Sequence, residues 1–301
     1  MFKKKNRRQE LRADRVLDAI ILAVLLILLV LTAYPLYFVV IASFSDPAKV
    51  VAGEVALWPK GFTLQAFEEV IGEAGIINSI GISVARTIIG AGVSVGCCSF
   101  LAYMLTQQML PCRKLIYRMV IVTMYLNAGF IPLYLTITSL GLRNNFLVYI
   151  LPYAISAYYV ILIKTYIEGM PKELRESAEL DGAGTVRIYL SIVFPLAKPI
   201  LACIAIFAAV FQWNAWTDDL YFISGAAGAN LHCLQFQLYK KIATLSVKDT
   251  AAALIGSNSA QSSTTTIRMA MTMITVLPII CVYPFMQRYF VKGIMLGAVK
   301  G

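Results

Sequence analysis

The chain has 301 residues, of which 59% are hydrophobic and 14% charged, and it carries a formal net charge of +10. A water-soluble domain is about half apolar and about a quarter charged, so this composition excludes an ordinary soluble enzyme. The apolar residues lie in long runs, the pattern of a bilayer protein, and the length suits one polytopic domain and little else.

In chain order, a basic segment comes first: residues 1–15 hold Lys3, Lys4, Lys5, Arg7, Arg8, Arg12 and Arg15. Most other cations flank later apolar runs, so the charge reads as membrane topology and not as nucleic-acid binding. The first run, 16–44, is far longer than the roughly 7–15-residue core of a signal peptide and lacks a small-x-small cleavage site, so it reads as a retained span. Further runs at 76–105, 115–140, 146–167, 199–223 and 269–290 each approach or exceed the roughly twenty residues that cross a hydrocarbon core. The expected fold is all-α integral membrane: six transmembrane helices within a domain 16–292, followed by a tail, 293–301.

Loop charges give the orientation. The 45–75 loop sets Asp46, Glu54, Glu68, Glu69 and Glu73 against Lys49 and Lys60 and reads as outside. The 106–114 loop, with Arg113 and Lys114, and the 168–198 loop, with Lys172, Arg175, Arg187 and Lys198, read as inside. The 224–268 segment, with its Ser/Thr tract, reads as a polar outside loop. Both termini are then cytoplasmic, in a plasma or inner membrane. Cys97, Cys98, Cys203 and Cys281 sit in apolar runs as small packing residues, while Cys112 and Cys233 have no visible partner. No C-x-x-C occurs, so neither a disulfide framework nor a zinc site is supported. Gly92 and Gly96 form a GxxxG that predicts close helix packing.

Between the fourth and fifth runs lies a polar island, ESAELDGAGTVRIYLSIVFP (176–195). Pro171 suits a first helical turn, with Glu173 and Glu176 near its positive end. Leu174, Ser177, Ala178 and Asp181 recur at helical spacing, and Gly182 and Gly184 permit a reversal. Thr185 is expected to cap a second helix whose Val186, Tyr189 and Ile192 share a face. The residues alone leave two readings open: a small-residue docking element, or an interfacial elbow between spans.

Chemistry inside the spans is sparse. Asn127 falls near the middle of the third run and either bonds a neighbouring helix or lines a route. Trp213 and Asn214 fall in the outer half of the fifth, where an aromatic face and an amide can line a route. Trp216 is a contact on that route or an interfacial anchor, and Asp218 and Asp219 are expected near the outer boundary. Arg86 either faces the pathway or snorkels to the outer edge. With no acid well inside any span, ion-coupled transport is poorly supported, and His232, the only His, lies in a polar loop with no Ser–His partner. No G-x-x-x-x-G-K-[ST] occurs, so phosphate cradling is not local.

The island resembles the EAA signature of permease subunits from ATP-binding-cassette importers. Glu176, Ser177, Ala178, Gly182, Ile192, Phe194 and Pro195 fall at its spacings, with Ser177 in place of Ala and Phe194 in place of Leu. YPLYFVVIASFSDP (34–47), NSI (78–80), GLRNNFLVYILP (141–152), QWNAW (212–216) and YFVKGIMLGAVKG (289–301) are similar to carbohydrate-uptake permeases, and NAGFIPLY (127–134) to a maltose-type subgroup handling complex oligosaccharides. The resemblance implies a coupling role for Glu176, Ser177, Ala178, Asp181, Gly182, Ala183, Ile192 and Pro195, docking on an ATPase. It implies no cofactor on this chain, with ATP and Mg on two separate ATPase subunits. A second homologous permease, an extracytoplasmic binding protein and a sugar substrate complete the expected assembly, with no catalysis here.

Overall fold

In the computed structural model, residues 2–126, 128–171, 173–255 and 258–298 are described. All regular structure among them is helical. In chain order the helices are α1 (Phe2–Ser43), α2 (Pro47–Val51), α3 (Gln65–Ile71), α4 (Ile76–Thr106), α5 (Arg113–Tyr125) and α6 (Phe130–Ser139). Two 3-10 turns, Phe146–Tyr149 and Leu151–Tyr153, lead into α7 (Ala157–Glu168) and α8 (Glu173–Leu180). Then come α9 (Thr185–Ile188), a π turn (Tyr189–Val193), α10 (Phe194–Leu196), α11 (Lys198–Asn214), α12 (Thr217–Phe222), α13 (Gly225–Gly228), α14 (Leu234–Ile255) and α15 (Asn258–Ala298).

Among the described residues, three helical stretches are long and apolar enough to cross a membrane: Leu17–Ser43 in α1, all of α4, and Thr264–Pro284 in α15. The number rises to six if each of three bent pairs is one span. The bends have local causes. Between α5 and α6 the chain goes extended at Leu126 and left-handed at Gly129 (φ 84°), and Asn127, the sequence candidate in this break, lies outside the described residues, as does Lys172. The two 3-10 turns, which contain Pro152, meet α7 at 48°. The α9–α10 segment meets α11 at 81°, where Pro195 and Pro199 each remove a backbone donor.

Two expectations change here. The fifth run is not one helix, because the chain becomes extended at Ala215 and restarts as α12. The 224–268 segment is not a loop: it forms α13, α14 and the start of α15. Residues 229–255 contain neither Gly nor Pro and are rich in Leu, Ala, Lys and Gln, so helix propensity outweighs their polarity.

The chain divides into two compact units. In the first (Met1–Gly72 with Thr244–Ile274), Ile41, Ala42, Val50 and Val55 pack with Phe38 and Met269. Asp46 caps α2 by accepting from the Ala48 N–H at 2.8 Å, and Phe44 lies between Phe62 and Phe67. Upstream, every side chain from 17 to 37 is exposed, so this apolar helix is solvated by something other than its own unit.

In the second unit (Glu73–Ala243 with Thr275–Gly301), α4 packs along α7 and α11. Small residues on its inner face, Gly90, Ala91, Ser94, Cys98 and Ala102, let those helices approach closely. Gly90 is the tightest point, because a Cβ there would lie 2.6 Å from Gln212 Nε2. Gly92 and Gly96, the expected packing pair, instead face open space. Gln212 is pinned by other hydrogen bonds and cannot swing away. Gly90→Ala is therefore expected to cost roughly 1–3 kcal/mol of stability as overpacking strain. Thermal unfolding in detergent checks this, with Gly92→Ala as the neutral control.

Candidate functional site

Two features of the second unit, twenty residues apart along α4, hold the residues of interest. The first is the island. Helix α8 ends in a left-handed Gly182 (φ 76°), and the Ala183 N–H donates to Ala178 O at 2.9 Å while the Gly182 N–H donates to Glu179 O at 3.1 Å. Such a reversal satisfies carbonyls that a helix end leaves unpaired. Gly184, extended, precedes α9, so Thr185 is its first residue and not the expected cap. The π turn shifts the register after Ile188, so Val186 is exposed, Tyr189 is buried and Ile192 is intermediate: they do not share one face.

The island has an inner and an outer side. Ala178, Ala183 and Ile192 pack against the core cluster around α4 and α7. Glu176, Ser177, Asp181, Gly182 and Pro195 are exposed. Leu180, which sequence spacing did not single out, is the most exposed apolar side chain of the island at 90%. Its placement beside the Gly182 reversal was the available clue. The inner side is tied to the end of α4: Tyr103 donates its hydroxyl to Thr185 O (3.1 Å), Ser99 and Tyr189 share a hydroxyl hydrogen bond (2.7 Å), and Arg175 donates to Thr106 Oγ1 (3.3 Å).

The second feature is a buried polar network. Arg86 is fully buried, which overturns snorkelling to the edge. Its guanidinium donates to Asp218 Oδ2 at 2.9 Å, to Gln212 Oε1 at 3.1 and 3.2 Å, and to Ala215 O at 3.0 Å, and lies 4.2 Å from the Tyr149 ring centroid. The Ala215 carbonyl lies where α11 stops, so Arg86 also places a cation at that helix's negative end. Tyr153 donates to Asp218 Oδ1 (2.6 Å), and Gln212 Nε2 donates to Tyr149 O (3.0 Å).

Asp219 forms the second half. It is also fully buried, accepts from the Cys233 N–H (2.6 Å), and is paired with His232 Nδ1 (2.5 Å). Asp218 and Asp219 are thus inside the protein and not at a solvated boundary, and His232 is no free loop histidine: its ring also stacks on Phe236 at 5.0 Å. Burial, with the Asp219 charge beside it, pushes the Cys233 thiol up to about 12, so it stays protonated and unreactive near neutral pH.

The remaining pathway candidates diverge. Trp213 is buried and donates its indole N–H to Thr275 O (3.0 Å). Asn214 is exposed, donating to Val210 O and accepting from Gln235. Trp216 stacks on Tyr239 at 4.3 Å. Sequence reasoning missed Gln212, Tyr149 and Tyr153. The signal was charge: an Arg in one apolar run and two Asp in another must find each other, because a lone buried charge is too costly.

Comparison with known proteins supplies the family. Residues 89–296 match the binding-protein-dependent transport system inner membrane components. The chain belongs to that family. The permease is 33% identical over 271 residues to protein LplC of Bacillus subtilis, covering 90% of each. It is also 33% identical over 288 residues to the polygalacturonan/rhamnogalacturonan transport system permease protein YtcP of Bacillus subtilis, covering 96% of this chain and 99% of that one. Among solved structures it resembles a bacterial ABC transporter involved in the import of the acidic polysaccharide alginate, with a TM-score of 0.82 at 29% identity over 93% of this chain and 98% of that one. It is a multi-pass membrane permease subunit of the ATP-binding-cassette importer class, as the sequence resemblance implied.

For the permease, the Arg86–Asp218 pair carries a definite expectation. Removing one partner of a buried pair leaves an uncompensated charge and costs roughly 3–5 kcal/mol. Arg86→Met or Asp218→Leu alone should sharply lower the unfolding temperature in detergent, and the double variant should recover most of the loss. Single variants as stable as the native chain would show the pair to be dispensable.

Proposed function

We propose that this permease is one half of a heterodimeric six-span channel that imports an oligosaccharide delivered by an extracytoplasmic binding protein. In this reading both termini and the 168–198 segment are cytoplasmic, residues 1–15 and 293–301 flank the 16–292 span domain, and a second homologous permease completes the channel. Two partner ATPases bind and hydrolyse ATP with Mg, so the chain itself is not an enzyme and holds no cofactor. The sugar assignment is supported by the carbohydrate polymers named for its relatives.

One observation carries the reading: the island is two-sided. Glu176, Ser177, Leu180, Asp181 and Gly182 face away from the chain, while Ala178, Ala183 and Ile192 and the hydroxyls of Tyr103 and Tyr189 bind it to α4. A force applied outside is therefore delivered to a rigid helix. Glu176 would accept a charge-assisted hydrogen bond from a cation of the ATPase. Leu180 would fill an apolar recess there, and the small Gly182 reversal would let the partner's backbone approach. Pro195 precedes the bend into α11, so the push also reaches the fifth span.

As for the pathway, the Arg86 charge is matched by Asp218 and its donors are occupied, so the residue supports channel geometry better than it supports anion binding. Asn214, exposed, and Trp216 remain the candidates with free surface for a sugar in the described residues.

Gly182→Leu places a branched side chain on a left-handed backbone and fills the reversal, and Glu176→Lys inverts a charge. Each is expected to abolish sugar uptake by vesicles carrying the full assembly while the chain still inserts. Uptake in the native assembly should stop without ATP and persist with an uncoupler. Normal uptake by both variants would defeat the coupling assignment.

A further inference from the structure

The chain that leaves α1 doubles back along it. The Asp46 N–H donates to Lys60 O (3.0 Å) and the Lys60 N–H to Ser45 Oγ (3.2 Å), so residues 47–59 form an excursion closed at its base. Its tip does not project beyond the helix end. Val55 is buried among Phe38, Ile41 and Ala42. The Tyr34 hydroxyl donates to Ala56 O at 3.3 Å, and the Tyr37 hydroxyl donates to Leu57 O.

Position along the helix follows from the rise. Tyr37 and Tyr34 precede Ser43, where α1 ends, by six (43 − 37) and nine (43 − 34) residues, or about 9 and 14 Å. Long side chains on a helix lean toward its N-terminus, which carries the phenols further from that end. The tip thus lies beside the last turns of α1, at the C-terminal end of the stretch 17–37 whose side chains are all exposed. There Leu57 is 62% and Trp58 76% exposed. The charged side of the excursion, Glu54 paired with Lys60 at 3.8 Å, is itself half exposed.

We propose that residues 55–58 are a membrane anchor, with Leu57 and Trp58 inserted into the interfacial layer of the leaflet in which α1 ends. Three observations name lipid as the occupant. The tip shares its depth with an apolar, fully exposed span, and whatever solvates that span solvates the tip. A Leu-Trp pair beside two Tyr has the composition of an interfacial belt, where indole and phenol sit between hydrocarbon and water. The Ala56 and Leu57 carbonyls, which water would satisfy at an ordinary loop tip, each receive a phenol. Backbone carbonyls leaving water need such partners, because an unpaired one is costly in hydrocarbon. The anchor would hold this end of the first span at a fixed depth, whatever the substrate or partner ATPase.

The test uses the full chain in phosphatidylethanolamine/phosphatidylglycerol vesicles containing lipids brominated at defined acyl positions. The tryptophans are Trp58, Trp213 and Trp216, so native emission minus that of Trp58→Phe isolates the tip. With 76% of its surface exposed, Trp58 tolerates Phe without loss of fold. The difference emission is expected to be blue-shifted and quenched most by bromine close to the headgroups. In a background of Tyr34→Phe with Tyr37→Phe that quenching should fall, as the unpaired carbonyls lift the tip toward water. A difference emission quenched by aqueous acrylamide and not by bromolipid would assign the tip to solvent or a soluble partner. One reached by neither quencher would assign it to another membrane subunit. Either result overturns the proposal.

Discussion

A guanidinium inside an apolar helix must find its counter-charge within the protein, and much of the second unit is arranged around that requirement. Arg86 meets Asp218, the Gln212 amide, the Ala215 carbonyl and the face of Tyr149. The partners come from three elements: the end of α11, the start of α12 and the 3-10 turns before α7. An apolar contact would tolerate sliding by a residue; a buried charge with four directed hydrogen bonds does not. The break at Ala215 is therefore held open from outside, because its carbonyl is used by Arg86. Next to it, Asp219 fixes the entry to α14 through the Cys233 amide and His232.

Helix α4, 31 residues long, ties two features together along its length. Near Thr106 it carries the polar island through Tyr103, Ser99 and Arg175's contact; twenty residues earlier (106 − 86), or about 30 Å by helical rise, it carries the Arg86 network. Small residues on the face between them bring α7 and α11 into close contact. A helix held in this way links the island to the Arg86 network through one continuous element.

How much of this was legible depended on range. The bilayer character and the Gly182 reversal were readable, because hydropathy and left-handed glycine act within a few residues. The two-sidedness of the island was not. The spacing of Leu174, Ser177, Ala178 and Asp181 left open whether the island docks outward or packs as an elbow; Ala178 and Ala183 pack inward, and the most exposed apolar residue is Leu180. Helical spacing gives a face but not which way it points. Similarly, the 224–268 polarity suggested a loop, while the absence of Gly and Pro from 229–255 favoured the helix α14.

The sequence by itself determined that this is an all-helical membrane protein, because run length and composition are local quantities that survive without a fold, and its motifs resemble those of importer permeases. Only the tertiary structure decided that Arg86 is a clamp between helices and not a snorkelling cation, that Asp218 and Asp219 are buried beside it, and that His232 pairs with Asp219. The physical reason is that a charge's role depends on what stands within a few ångströms of it. Arg86 and Asp218 are 132 residues apart, a separation that no local pattern spans.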